Sequence, residues 1–231
     1  MKEIERLFAN NRAWSEAMRA SDPEYFARRA SGQSPQFFFI GCSDSRVPTE
    51  MMTGAHPGEI FSMRNIANQA SPSDLSFLSA LEYAIEFLDV KHVVVCGHYK
   101  CGGVLAALAG MEHGLVDHWL TGLRDIIRMY RSELSSLPED EQGRRLVQLN
   151  VLEQVYNVSR TPVVQRAWER GRRPILTGLV YSVEDGLIDP LVTNVASLAD
   201  VDTMLPHALS DTTGKLVRDQ QTREVLAAAG R

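Results

Sequence analysis

The sequence predicts an α/β protein: a mostly parallel central sheet of about four parallel strands plus an antiparallel edge strand, flanked by helices. Three observations lead there. Compact apolar runs fall at 36–40, 59–63, 93–96 and 174–184, two of them stopping at Gly41 and Gly97, as buried strands do. Stretches of helical period separate these runs, the pattern of parallel strands joined by crossover helices. Asp185-Gly186 is a two-residue hairpin signal that returns the chain antiparallel through 187–192.

The helices follow in order. Ile4, Leu7, Phe8, Asn11, Trp14 and Met18 keep helical spacing, so 2–19 reads as an amphipathic helix whose apolar stripe suits packing on a second subunit. Ser21 and Asp22 before Pro23 start a second short helix. Ser73 and Asp74 cap a third, with Phe77, Leu78, Leu81, Ile85 and Leu88 along its stripe. From Val104 to about Gly171 the chain is mostly helical; Leu123, Ile126, Ile127 and Tyr130 keep the period, as do Leu146, Leu149, Leu152, Val155 and Tyr156. Residues 206–231 are more polar and read as an extension with one short helix. The expected division is an N-terminal helical arm at 1–34, a metal-binding α/β domain at 35–205 and a C-terminal extension at 206–231.

Composition narrows the function classes. The chain has 231 residues, 44% hydrophobic and 23% charged, enough to bury a full core without disulfide staples. Its net charge of −5 argues against a nucleic-acid or anionic-membrane partner, which needs clustered Lys and Arg. No apolar run approaches the roughly 18 residues of a membrane span. No secretory leader is legible and the three cysteines are an odd number, so the expected compartment is the cytoplasm and the expected use of cysteine is metal binding or catalysis.

Two strand ends hold the chemistry: Gly41-Cys42-Ser43-Asp44-Ser45-Arg46-Val47-Pro48, and Cys96-Gly97-His98-Tyr99-Lys100-Cys101-Gly102-Gly103. Cys42, His98 and Cys101 are two soft thiolates and an imidazole, a set suited to zinc over magnesium or calcium. His98 and Cys101 lie three apart, and Cys42 must come from the neighbouring strand, at the carboxyl edge where open sheets bind ligands. Three protein ligands leave a tetrahedral ion one open position, as in catalytic sites. Asp44 either fills that position or is held off by a bidentate pair with Arg46. Cys96 ends an apolar strand and reads as an inert core thiol. His56, His92, His113, His118 and His207 show no metal spacing. Arg144, Arg145, Arg170, Arg172 and Arg173 read as solvated helix ends.

CSDSRVP at 42–48 and CGHYKCGGV at 96–104, with Arg64-Asn65-Ile66-Ala67-Asn68 between them, resemble the β-class carbonic anhydrases. The resemblance runs from about Gln36 to Tyr181. It implies a carbonate dehydratase (a zinc lyase) that reversibly hydrates carbon dioxide to bicarbonate and a proton through zinc-bound hydroxide, with one zinc per subunit of a homodimer or homotetramer. It places the zinc ligands on Cys42, His98 and Cys101 and the catalytic pair on Asp44 and Arg46. Since two thiolates cancel the ion's charge, the water is expected to be less acidified than in a three-histidine site, with activity on the alkaline side. Backbone N–H groups at Gly102 and Gly103 are expected to bind the developing bicarbonate.

A subgroup of that family is closed by bicarbonate in a separate pocket. The matching positions here are Arg64, Tyr181 and Phe39, where the subgroup has a tryptophan in place of Phe39. Inhibition by bicarbonate at lower pH, with Asp44 on the metal, is therefore an expectation too. The alternatives are a non-catalytic α/β protein with structural zinc and Asp44 as permanent fourth ligand, and a zinc hydrolase of carbon disulfide or carbonyl sulfide. A thiol redox role is the weakest, because metal-bound Cys42 and Cys101 are not free to cycle.

Overall fold

The computed structural model describes residues 2–110, 114–171 and 174–210. His113, Arg172, Arg173 and residues 211–231, most of the extension expected to carry one short helix, lie outside these described residues. The chain divides into two compact units, one through Ser34 and one from Pro35 onward.

The first unit holds α1 (Lys2–Ser21) and α2 (Tyr25–Ala30). Trp14 meets Tyr25 and Phe26 edge-on, with centroids 6.2 and 5.7 Å away, and Arg29 lies 3.6 Å over the Tyr25 ring. Arg28 pairs with Asp22, which leads into α2. Along the stripe of α1, Ile4, Leu7 and Phe8 are 50%, 55% and 57% exposed.

The second unit is built on β1 (Phe37–Cys42), β2 (Ile60–Asn65), β3 (His92–His98), β4 (Ile175–Tyr181) and β5 (Ile188–Val195), in the order β2-β1-β3-β4-β5. The first four pair in parallel and β5 runs antiparallel beside β4, as the sequence predicts. β1 and β3 are neighbours, with Gly41 opposite Cys96, so the two motif-bearing ends emerge side by side. The β4–β5 connection differs from the expected two-residue hairpin. It spans 182–187, where Gly186 N–H returns to the Ser182 carbonyl at 2.9 Å and Leu187 N–H to the Asp185 carboxylate at 3.0 Å. Gly186 has φ +76°, while Asp185 is not left-handed, so the wider turn is satisfied by side chain and backbone together.

Helices fill the connections: α3 (Thr49–Thr53), α4 (Leu75–Glu82) continued by a π-helical turn (Tyr83–Phe87), α5 (Gly102–Ala109), α6 (Leu115–Trp119), α7 (Thr121–Met129), α8 (Arg131–Ser135), α9 (Glu139–Ser159), α10 (Pro162–Glu169) and α11 (Leu198–Ser210). The Asp74 cap is as expected, accepting from Ser76 N–H at 2.9 Å. The sequence reading missed α3, which is five residues long, and α11, which runs through 205/206 and contains Pro206.

Alternation along β1 sends Phe38 and Ile40 into the main core and Phe39 to the other face, where it packs with Val94, Cys96, Leu179, Tyr181 and Met52. α9 lies against β3 and β4 on the main-core face. Its approach depends on two glycines: a Cβ at Gly97 would stand 2.6 Å from Val151 Cγ2, and one at Gly178 would stand 3.0 Å from both Val151 and Val155. Arg145 is not a solvated helix end. It is buried in α9, bonded to Glu133 of α8 at 2.5 Å, to Gln148 at 3.2 Å and to the Leu209 carbonyl of α11 at 2.7 Å. No helix among the described residues is long and apolar enough to cross a membrane.

Candidate metal centre

Parallel pairing brings the C-terminal ends of β1 and β3 together, and the first turn beyond β3 adds the third side chain. The Sγ atoms of Cys42 and Cys101 are 3.9 Å apart, and with a His98 ring nitrogen they form a set lying within 4.8 Å of one another. All three side chains are buried, and among the described residues no other such group of three His, Cys, Asp or Glu gathers.

His98 is oriented by its neighbour. Its Nδ1 is 3.0 Å from the Tyr99 carbonyl; a carbonyl only accepts, so in the neutral ring Nδ1 carries the proton and Nε2 a lone pair. Nε2 is fully buried and makes no hydrogen bond. A buried polar atom without a partner costs stability unless something binds it.

The sulfurs tell the same story. N–H groups of Asp44 and Ala67 face Cys42, and those of Gly103 and Val104 face Cys101 at the start of α5. The Cys42 thiol is pulled well below the ordinary thiol range, first by the Cys101 sulfur hydrogen-bonded to it. Cys101 is pushed up by the same contact and by burial. The contact thus favours a thiolate beside a thiol over two thiolates, and a divalent cation would favour loss of the second proton by removing the repulsion between thiolates. An orphan imidazole nitrogen, a thiol pulled down and a second sulfur in contact with it fit a thiophilic divalent ion.

Asp44 lies beside this set with its Oδ2 3.7 Å from His98 Nε2. Both carboxylate oxygens are on Arg46: Nε to Oδ1 at 2.9 Å and Nη2 to Oδ2 at 2.7 Å, with the Arg46 backbone N–H also 2.9 Å from Oδ1. The Arg46 guanidinium holds the Asp44 carboxyl far below the usual carboxylate range. Of the two arrangements the sequence leaves open, the structure has Asp44 paired with Arg46.

The remaining expected residues fall as follows. Gly102 opens α5, and a Cβ there would meet nothing within 4 Å; at Gly103 a Cβ would come within 2.8 Å of Ile66 and 3.3 Å of Ala67. Gly103 is therefore a packing glycine whose N–H faces sulfur. Phe39 and Tyr181 share the small cluster on the opposite sheet face. Arg64, at the end of β2, donates from Nε to the Cys42 carbonyl at 2.8 Å and from Nη2 to the Asp44 carbonyl at 2.7 Å. Cys96 is a buried core thiol: burial pushes it up to about 12, and it donates to the Gly97 carbonyl at 3.3 Å.

Sequence reasoning missed the supports. Lys100 has φ +57°, and its carbonyl accepts from Arg46 Nη2 at 3.1 Å. Ala67 and Asn68 are also left-handed, at φ +62° and +47°, in a 3₁₀ turn (Ile66–Asn68) beneath the site. Buried amides hold that turn: Asn150 Nδ2 and Gln69 Nε2 donate to the Ala67 carbonyl at 3.0 and 2.8 Å, and Gln154 Oε1 accepts from Ala70 N–H at 2.8 Å. The available signal was Asn150 and Gln154, two amides one turn apart within the apolar period of α9.

The fold and the Cys-His-Cys set define an α/β metalloenzyme with its site at the carboxyl edge of a mostly parallel sheet. A family model described as carbonic anhydrase matches residues 37–188. A carbonic anhydrase of Emericella nidulans is 46% identical over 188 residues, covering 81% of this chain and 82% of that one. Among solved structures, tetrameric β-carbonic anhydrases of Sordaria macrospora match with 36% identity and TM-score 0.79, covering 83% of this chain and 98% of theirs. The Coccomyxa β-carbonic anhydrase in complex with acetazolamide matches with 33% identity and TM-score 0.81, covering 98% and 97%. The chain belongs to the carbonic anhydrase family, in its β class.

Proposed function

We propose that this protein catalyses the reversible hydration of carbon dioxide to bicarbonate and a proton, with one zinc ion per subunit held by Cys42, His98 Nε2 and Cys101. Zinc with an open position supplies one thing here, the acidification of a water it binds. The rest falls to the chain. Asp44, kept ionised by Arg46, is acceptor-only, so it holds the attacking oxygen by its proton and leaves a lone pair towards carbon. Arg46 fixes the carboxylate through both nitrogens and is itself fixed on the Lys100 carbonyl. The Gly102 N–H, at the mouth of α5 where a side chain would meet only open space, is the donor for the developing oxyanion.

The observation that carries this reading is Asp44 on Arg46 with both oxygens, which speaks against Asp44 as a permanent ligand of a structural ion. Elemental analysis of purified protein and stopped-flow hydration from about pH 7 to about pH 9, on wild type and Asp44→Asn, test it. Zinc near one per chain, wild-type activity rising with pH and a crippled Asp44→Asn are expected. A wild type without zinc, or silent throughout, would overturn it.

Three finer parts belong to the proposal. The exposed apolar residues of α1 support a homodimer or homotetramer, in line with relatives described as tetrameric. Three free cysteines suit a reducing compartment such as the cytoplasm. Bicarbonate inhibition at lower pH would act through Arg64, Phe39 and Tyr181; activity insensitive to added bicarbonate near neutral pH would remove this part alone.

A further inference from the structure

Arg64, near the end of β2, donates two side-chain hydrogen bonds. What it touches is the backbone between Cys42 and Asp44. In the β1–β2 register it stands opposite Gly41, one residue before the last strand pair, Cys42 with Asn65. One further ladder bond, from Ser43 N–H to the Asn65 carbonyl at 2.8 Å, ends the pairing. Beyond it the chain turns off the sheet, and the guanidinium spans that departure. Nε takes the Cys42 carbonyl at 2.8 Å and Nη2 the Asp44 carbonyl at 2.7 Å, a fork on two carbonyls that flank Ser43. Both are charge-assisted bonds, and a planar fork fixes direction as well as distance.

Fixing those carbonyls fixes where the Asp44 side chain starts. From there the linkage continues through Asp44 to Arg46 and from Arg46 Nη2 to the Lys100 carbonyl, in the turn between His98 and Cys101. One polar path therefore runs from β2 through the β1 turn to the β3 turn. Arg64 is its first member and the only one anchored on β2.

We propose that Arg64 is a positioning residue. It sets the backbone of Cys42–Asp44 and thereby keeps the Asp44 carboxylate aligned on Arg46. This rests on the reading of Cys42 as a metal ligand and of Asp44–Arg46 as the working pair. It is separate from any role of Arg64 in binding an anion, since it requires only the two carbonyl bonds.

The test uses the full chain loaded with zinc, and separately with cobalt as a spectroscopic probe. Arg64 is exposed, so Arg64→Gln and Arg64→Ala should fold, as judged by circular dichroism and melting. Arg64→Gln should lower kcat about tenfold or more with a smaller change in KM, because the lost bonds orient catalytic groups and bind no substrate. Its cobalt absorption bands should shift from those of wild type. Arg64→Lys, able to reach one carbonyl, should fall between the two, and free guanidinium should partly restore Arg64→Ala. Wild-type kcat with an unchanged cobalt spectrum in Arg64→Gln would overturn the proposal. Should Arg64→Gln fail to fold, a crystal structure of Arg64→Lys decides: an Asp44–Arg46 pair undisturbed despite a lost carbonyl bond overturns it. A silent or zinc-free wild type would instead sink the underlying functional reading, so the two failures are distinguishable.

Discussion

Asn150, midway along α9, donates from Nδ2 to the Ala67 carbonyl at 3.0 Å, tying that largely buried helix to a left-handed alanine beneath the Cys-His-Cys site. The same side chain accepts through Oδ1 from Gln69 Nε2 at 2.8 Å and Gln154 Nε2 at 3.1 Å. Non-glycine residues at positive φ persist only where their surroundings over-determine them. Here a closed amide network does so, and its output is the Ala67 N–H that faces the Cys42 sulfur.

Replacing Asn150 by Leu should therefore cost about 2–4 kcal/mol, because it strands the buried Gln154 amide donor, takes one of two bonds from Gln69 and frees a strained turn. Urea denaturation of the metal-loaded protein measures it. A loss below about 1 kcal/mol would mean that the turn holds itself.

Gly97→Ala should destabilise by about 1–3 kcal/mol. Its Cβ would stand 2.6 Å from Val151 Cγ2 and 3.3 Å from Val147 Cγ1, and the neighbouring His98 would move with the strand. The double variant Gly97→Ala/Val151→Ala should recover part of the loss, which thermal melting can resolve.

The three cysteines should separate cleanly. Cys96→Ala should retain wild-type metal content, whereas Cys42→Ala and Cys101→Ala should each lose most of it. With the ion stripped by a chelator, iodoacetamide should label Cys42 ahead of Cys96, whose thiol is pushed up to about 12 by burial. Labelling of Cys96 at a comparable rate would contradict this order.

His92 stacks on Phe37 with centroids 5.3 Å apart, and burial lowers its pKa from the ordinary 6.5. Below that ordinary value the unfolded chain binds a proton that the folded ring resists. Its contribution is thus present above 6.5 and lost as pH falls through 6.5 towards the folded value. Urea midpoints from about pH 8 down to about pH 5 should drop for wild type, and less so for His92→Phe.

The sheet was legible because its strands are short apolar runs with unambiguous neighbours, and because Cys42 with His98 and Cys101 is a ligand set of narrow chemistry. The dyad was legible only as a pair of alternatives, since sequence spacing allows Asp44 either partner. What stayed hidden depends on backbone direction or on distant contacts. Lys100 carries no residue-type signal for its left-handed φ. Arg64 binds carbonyls, which every residue has. Arg145 sits in a run of charges that reads as solvated until α8 and α11 close over it. α11 escaped notice because Pro206 interrupts the pattern that a helix search follows.

The N–H groups that face the two sulfurs belong to Asp44, Ala67, Gly103 and Val104, and all are main-chain. No single codon change can delete such a donor short of introducing proline. The surroundings of the two sulfurs are thus set by the path of the polypeptide, and side chains such as Asn150 and Arg64 reach them by holding that path in place.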